Sequence, residues 1–232
     1  MATFVISHGA WDGGWYWKNV AARLHTKGHD VYTPTLTGLG ERQHLGTPAT
    51  DLETHIQDIV NVINFEDLKE VILVGHSYSG AVVTGVGGRI PERISEIIYL
   101  DAFVVKSGES IVDQFGNSEL IEQWVELANQ FGDGWTIPAM LEAGSDPRHT
   151  AQPLQTFFQK LNLENFDAWM TMKKSYIKCT KREEKPIYSA LEASASLAQS
   201  LDWPYYELAA GHNPNDTAPE ALTDLLHKLS EA

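Results

Sequence analysis

The chain has 232 residues, 43% hydrophobic and 21% charged, which is ordinary globular usage and enough for one domain with a full core and an inserted lid. Its formal net charge of −14 argues against nucleic acid or an anionic membrane surface as a partner, since both require a basic face. A single cysteine, Cys179, excludes an intramolecular disulfide and is expected as strand filler rather than a nucleophile.

Met1 to His8 has no basic region ahead of its short apolar run, so it reads as a first strand, Thr3 to Ser7, and not as a signal peptide. No apolar run reaches bilayer-spanning length, and a cytoplasmic location is the default expectation. A glycine-rich loop, His8 to Gly14, precedes a helix over Trp15 to Lys27 that Gly28 stops. A short second strand covers His29 to Pro34. A Thr- and Gly-rich loop then leads to Asp51, the N-cap expected for a helix through Ile56, Ile59, Val60 and Ile63. Val71 to Val74 is a buried strand, its following helix ends near Ile90-Pro91, and Ile94 to Leu100 is the next strand, closing on Asp101. This alternation implies parallel strands with helical crossovers. The rhythm breaks between Val104 and Lys174, a helix-prone, aromatic stretch with no clear strand. Residues 1–103 and 175–232 therefore read as a doubly wound, mostly parallel α/β core of about six strands, and 104–174 as an inserted helical cap. Ser175 to Thr180 resumes the strands, a helix covers Ser189 to Gln199, and Tyr205 to Ala209 is the last strand. Gly211-His212 follows it, and Asp216 to Leu229 closes as an amphipathic helix.

The chemistry is concentrated in Gly75-His76-Ser77-Tyr78-Ser79-Gly80. A serine at the apex of a strand–turn–helix has its hydroxyl pushed out at the top of the sheet, on a strained backbone that demands small neighbours. Gly75 meets that demand; position 79 is serine where the usual pattern has glycine. Serine needs a base on another loop at the same sheet edge, and His212, directly after the last strand, is in the right topological place. An acyl-transfer oxyanion needs preorganised N–H donors. Tyr78, after the nucleophile, supplies one and Ala10, in the first glycine-rich loop, the other. Both loops leave the carboxyl ends of adjacent strands, where a doubly wound sheet forms its ligand crevice.

Four stretches together carry a family resemblance: His8-Gly9-Ala10-Trp11-Asp12-Gly13-Gly14-Trp15-Tyr16-Trp17, Pro34 to Gly40, Gly75 to Gly80, and Gly211-His212. Over nearly its whole length the chain resembles the α/β-hydrolase superfamily, and within it the esterase and hydroxynitrile lyase group that includes plant methyl-salicylate and methyl-jasmonate esterases and bacterial esterase-like relatives. The resemblance implies a Ser–His–acid triad, a helical cap after the family's sixth strand and no cofactor or metal, and it aligns the first strand here with the family's third. The lyases of the group carry threonine after the loop histidine and lysine after the catalytic one. Gly9 and Asn213 stand there instead, which favours ester hydrolysis. The plant enzymes place the triad aspartate just past the strand matching Tyr176 to Thr180. Here that stretch is Lys181-Arg182-Glu183-Glu184-Lys185, a charge cluster of the kind that marks a solvated loop. Asp101 is favoured as the acid, with Glu184 and Glu183 as alternatives.

The expected activity is cleavage of a small, apolar or aromatic carboxylic ester through an acyl-enzyme on Ser77, with His212 as base and Asp101 orienting it. His8, Gly9, Trp11, Trp124, Trp135 and Phe158 are expected to line the substrate pocket. A hydroxynitrile lyase or other cofactor-independent lyase, and a non-catalytic small-ligand receptor, are the alternatives. The sequence does not distinguish a monomer from a homodimer.

Overall fold

A computed structural model describes residues 1–139, 146–183, 185 and 187–231. Six strands form one sheet: β1 (Thr3–Ser7), β2 (Asp30–Tyr32), β3 (Val71–His76), β4 (Ile94–Leu100), then, after the inserted stretch, β7 (Lys174–Cys179) and β8 (Tyr205–Leu208). Their order is β2-β1-β3-β4-β7-β8, and every neighbouring pair is parallel.

The strands of the sheet's interior are buried on both faces, so their sequences read as continuous apolar runs, yet the pleat still sorts them. Phe4, Ile6, Ile72, Val74, Ile98, Leu100 and Ile177 point to one side, where they meet Val20 and Leu24 of α1 (Lys18–Thr26) and Leu222 and Leu226 of α9 (Pro219–Leu229). Val5, Val71, Leu73, Ile97, Tyr99 and Tyr176 point to the other, packing with α2 (Leu52–Phe65) and α3 (Ser79–Arg89). α2 starts as expected at Asp51, whose carboxylate accepts the Thr54 N–H at 2.9 Å while the Thr54 hydroxyl accepts the Asp51 N–H, a reciprocal cap.

Several boundaries differ from the sequence reading. Gly14–Trp17 is a 3₁₀ turn ahead of α1, α3 begins at Ser79, inside the Gly75–Gly80 stretch, and the final helix is split into α8 (Pro214–Thr217) and α9. Pro219 sits in the first turn of α9 and lacks the N–H that would continue α8 into it. The stretch between β4 and β7 contains α4 (Ser118–Phe131), α5 (Gln155–Phe158) and α6 (Phe166–Thr171), but also an antiparallel pair, β5 (Thr136–Ile137) and β6 (Gln152–Pro153). Two-residue strands carry no readable period, so that pair was invisible in the sequence. Trp124, Phe157, Leu161, Leu163 and Trp169 of this stretch share one apolar cluster with α2, α3 and the sheet. A further helix, α7 (Tyr188–Ser200), joins β7 to β8. Cys179 is fully buried in β7, and burial pushes its thiol up, away from the reactive thiolate. Among the described residues no helix is long and apolar enough to cross a membrane.

The chain runs from β1 outward to β2 and then returns to place β3 on the other side of β1. The loops after β1 and β3 therefore diverge from adjacent strand ends, with Ser7 in register with Gly75.

Candidate active site

β3 ends at His76, and the chain reverses into α3 through Ser77 at φ +54°, the left-handed region that L-residues adopt under constraint. The constraint is visible. The Ser77 N–H donates to Leu100 O at 3.2 Å, and its carbonyl accepts from Phe103 N–H at 3.1 Å and Gly80 N–H at 3.1 Å. Two glycines leave room for this turn: a Cβ on Gly75 would lie 2.7 Å from Ser79 O, and one on Gly80 2.1 Å from Phe103 O. Ser79, at the position where glycine is usual, uses its hydroxyl. It is fully buried, donates to His8 O and accepts from Ser7 Oγ at 2.8 Å, tying the turn to the end of β1.

Three side chains from three strand ends meet here. His212 Nε2 stands 2.9 Å from Ser77 Oγ, and its Nδ1 stands 2.7 Å from Asp101 Oδ2. Asp101 is fully buried, at φ +44°, a conformation Asp tolerates better than most residues. An ionised, acceptor-only carboxylate requires the proton on Nδ1, which leaves Nε2 as an acceptor for the serine O–H. His76 fixes the main chain of the same loop: its Nε2–H donates to His212 O at 2.8 Å. Burial pushes the His76 imidazole down to about 4, so it stays neutral while doing so. Of the alternative acids, Glu183 is 71% exposed and pairs with Lys185 at 2.9 Å, and Glu184 lies outside the described residues.

The amides of Ala10 and Tyr78 donate to no protein acceptor among the described residues. Tyr78 is the N-cap of α3, where the first N–H groups have no intrahelical partner. The Tyr78 ring is buried, and its hydroxyl donates to His55 Nδ1 at 2.9 Å while His55 Nε2–H donates to Thr37 O at 2.8 Å. That buried support was missed in the sequence, where His55 sits among the apolar residues of α2.

The expected pocket residues divide. Trp11 and Trp124 meet edge to face at 5.9 Å, and Phe157 packs on Trp124 at 4.7 Å, on Trp11 at 5.8 Å and on Tyr78 at 5.3 Å. The expected Phe158 is only partly buried beside this cluster; its neighbour Phe157 is the aromatic hub, because the turn of α5 directs 157 inward. Trp135 rests against the Gly46 turn and touches none of these rings among the described residues. His8 is also corrected. It is fully enclosed, its Nε2 accepting Leu36 N–H at 3.1 Å and its Nδ1 donating to Gly9 O at 2.8 Å, so it braces the loop rather than facing a crevice. Gly9, in the same loop, lies against His76 and Asp12. Trp11, at φ +64°, is held by Gln152, which accepts its N–H at 3.0 Å, and by Ile137 O, which accepts its indole N–H at 3.1 Å.

A family model described as the alpha/beta hydrolase family matches residues 4–225. The chain belongs to that family. A carbendazim hydrolyzing esterase from Nocardioides sp. (strain SG-4G) is 53% identical over 112 residues, 48% of this chain and 46% of the relative. A putative chloroplastic methylesterase 14 from Arabidopsis thaliana is 34% identical over 113 residues, 48% of this chain and 32% of the relative. The matches thus span under half the length of these curated relatives. Among solved structures, an extracellular alpha/beta-hydrolase from a Paenibacillus species, described as sharing structural and functional homology with tobacco salicylic acid binding protein 2, superposes with a TM-score of 0.82 at 25% identity, covering 98% of both chains. The Arabidopsis methylesterase MES16 superposes with a TM-score of 0.73 at 22% identity over 100% of both chains, a likeness of fold.

Proposed function

We propose that this chain is a carboxylic ester hydrolase that works through an acyl-enzyme on Ser77. The observation that carries the reading is the unbroken chain of hydrogen bonds from Ser77 Oγ through His212 to the buried Asp101, at 2.9 and 2.7 Å. Ser77 Oγ attacks the ester carbonyl carbon and its proton passes to His212 Nε2. The tetrahedral oxyanion lies against the Ala10 and Tyr78 amides. Collapse breaks the bond to the alkoxide, which leaves with the proton from the imidazolium. Water then attacks the acyl carbonyl, His212 again takes a proton, and the acid departs as Ser77 recovers its own. Asp101 stays ionised throughout and holds the imidazole in its working tautomer.

Residues 104–174 act in this reading as a cap over the crevice. Trp11 stays partly exposed, with Trp124 and Phe157 buried behind it beside Tyr78, and this aromatic backing favours small apolar or aromatic esters. The relatives named as esterases support the same class. Lyase chemistry in this pocket is disfavoured by Gly9: a Cβ there would lie 2.9 Å from His76 Nδ1, so the lyases' threonine does not fit without moving His76.

The test is a panel of p-nitrophenyl esters, methyl aryl esters, carbendazim and mandelonitrile, with labelling by a fluorophosphonate probe. Ester turnover with labelling supports the reading. Cyanide release without ester turnover replaces it with the lyase, and ligand binding without turnover or labelling with a receptor. Within the same panel, Trp124→Leu and Phe157→Leu are each expected to reorder substrates by kcat/KM, whereas Trp135→Leu leaves the ranking unchanged. An unchanged ranking in all three variants removes the cap's role in selectivity.

A further inference from the structure

The charged run after β7 reads as a solvated loop, and for Glu183 it is one. Arg182 is not. Its side chain is only 7% exposed, with Nη1 3.2 Å from Asp101 Oδ1, a charge contact without hydrogen-bond alignment, and Nη2 against Glu192 Oε1. Glu192 also takes Lys178 Nζ at 2.8 Å. Tyr188 joins the two sides of this assembly: its ring centroid is 4.8 Å from that of His212 and 5.8 Å from the Arg182 guanidinium carbon.

Burying a guanidinium has a large desolvation cost, and a well-packed apolar side chain would serve stability as well. What such a side chain cannot do is place a fixed positive charge on the carboxylate oxygen that His212 leaves unused. That oxygen has one further partner, the Cys179 N–H at 3.1 Å. The His212 and Cys179 N–H groups hold the two oxygens by hydrogen bonds, and the guanidinium adds its positive charge on the Oδ1 side.

We propose that Arg182 is a positioning residue for the Ser77 reaction: its buried charge holds the Asp101 carboxylate in place and, by countering it, keeps His212 available as a base at lower pH than a lone buried carboxylate would allow. The proposal rests on the ester-hydrolase reading of the site. Its electrostatics follow from sign. An unopposed Asp101 favours the imidazolium; a cation on its far oxygen weakens that preference. The groups facing His212 are Asp101, His76 and Tyr188, and those facing Asp101 are Arg182, Tyr176 and Cys179. Glu192, Lys178, Glu183 and Lys185 stand behind Arg182 and Tyr188. Burial lowers His76 to about 4 and raises Tyr176, Tyr188 and Cys179, so none of these four changes charge between about pH 5 and 8.

The experiment is the pH profile of kcat/KM on one p-nitrophenyl ester for wild type, Arg182→Gln, Arg182→Lys and Glu192→Gln, each checked for cooperative unfolding. In Arg182→Gln the acid limb is expected to move up by about one to two pH units, the effect of a unit charge several ångströms away at an effective dielectric near 20. Its plateau falls about ten- to a hundredfold, mostly in kcat, as the acid loses its alignment. Arg182→Lys keeps the charge but cannot reach Asp101 and Glu192 together, so its limb stays near that of wild type while part of the plateau is lost. Glu192→Gln releases Arg182 toward Asp101 and moves the limb the other way, by a fraction of a unit; this arm stands if Arg182→Gln does not fold. A folded Arg182→Gln with the wild-type limb and plateau overturns the proposal. So does an equal loss in Arg182→Gln and Arg182→Lys with an unmoved limb, which marks packing alone, or an unmoved limb in Glu192→Gln. Wild-type protein that neither turns over ester nor labels with fluorophosphonate is a different failure: it removes the reading of Ser77 itself.

Discussion

Ser77→Ala loses ester turnover by a factor on the order of 10⁶, the scale on which a nucleophile's removal disables a serine–histidine–aspartate unit. The same protein keeps its fold. The Ser77 hydroxyl has one side-chain partner among the described residues, His212 Nε2 at 2.9 Å, while the turn is held by main-chain bonds to Leu100, Phe103 and Gly80 that alanine preserves. Alanine at φ +54° is strained about as much as serine, so the backbone contribution nearly cancels. Thermal unfolding is therefore expected within a few degrees of wild type. Steady-state kinetics on a p-nitrophenyl ester, with fluorophosphonate labelling, check the prediction. Turnover within tenfold of wild type in the folded variant would end the acyl-enzyme reading.

Asp101→Asn lowers kcat by roughly 10⁴, the loss that accompanies a wrong histidine tautomer. The amide can turn its nitrogen toward His212 Nδ1, which then accepts rather than donates. The ring proton moves to Nε2, where it faces Ser77 Oγ and blocks its activation. A second effect follows from burial. Arg182 loses its carboxylate 3.2 Å away and retains Glu192, so the variant is also less stable than wild type. Glu183→Gln, at a side chain 71% exposed and paired with Lys185, changes little in either respect. A silent Asp101→Asn beside a crippled Glu183→Gln or Glu184→Gln would move the acid to the loop after β7.

Buried parallel strands are mostly apolar runs, so β1, β3 and β4 were legible from local composition, and with them the points where the chain leaves the sheet. The Ser77 turn was legible because its strain demands small residues at fixed offsets, and a demand on consecutive positions is written in consecutive letters. His212 was legible by order alone: it follows the last strand, and the last strand of a parallel sheet delivers its loop to the same edge as the others.

What lay beyond reach depends on distance rather than spacing. Phe157 and Phe158 are equivalent as letters, and only the direction of α5 over Trp11 and Tyr78 distinguishes the inward ring from the outward one. The β5–β6 pair is closed by a contact between residues 136–137 and 152–153 and has no period of its own. His8 stands in the motif that marks the site, yet the Leu36 amide and Gly9 carbonyl draw it inside. Arg182 shares its charge run with Glu183, and what separates a buried clamp from a solvated side chain is the position of Asp101 across β7. The sequence by itself determined the layered α/β architecture, the strained serine turn and which strand ends would converge, because these follow from apolar periodicity and from small residues where the backbone bends sharply. Only the tertiary structure decided which carboxylate reaches the imidazole, which aromatic ring turns inward and which charge is buried, because each is set by a few ångströms between residues far apart in the chain.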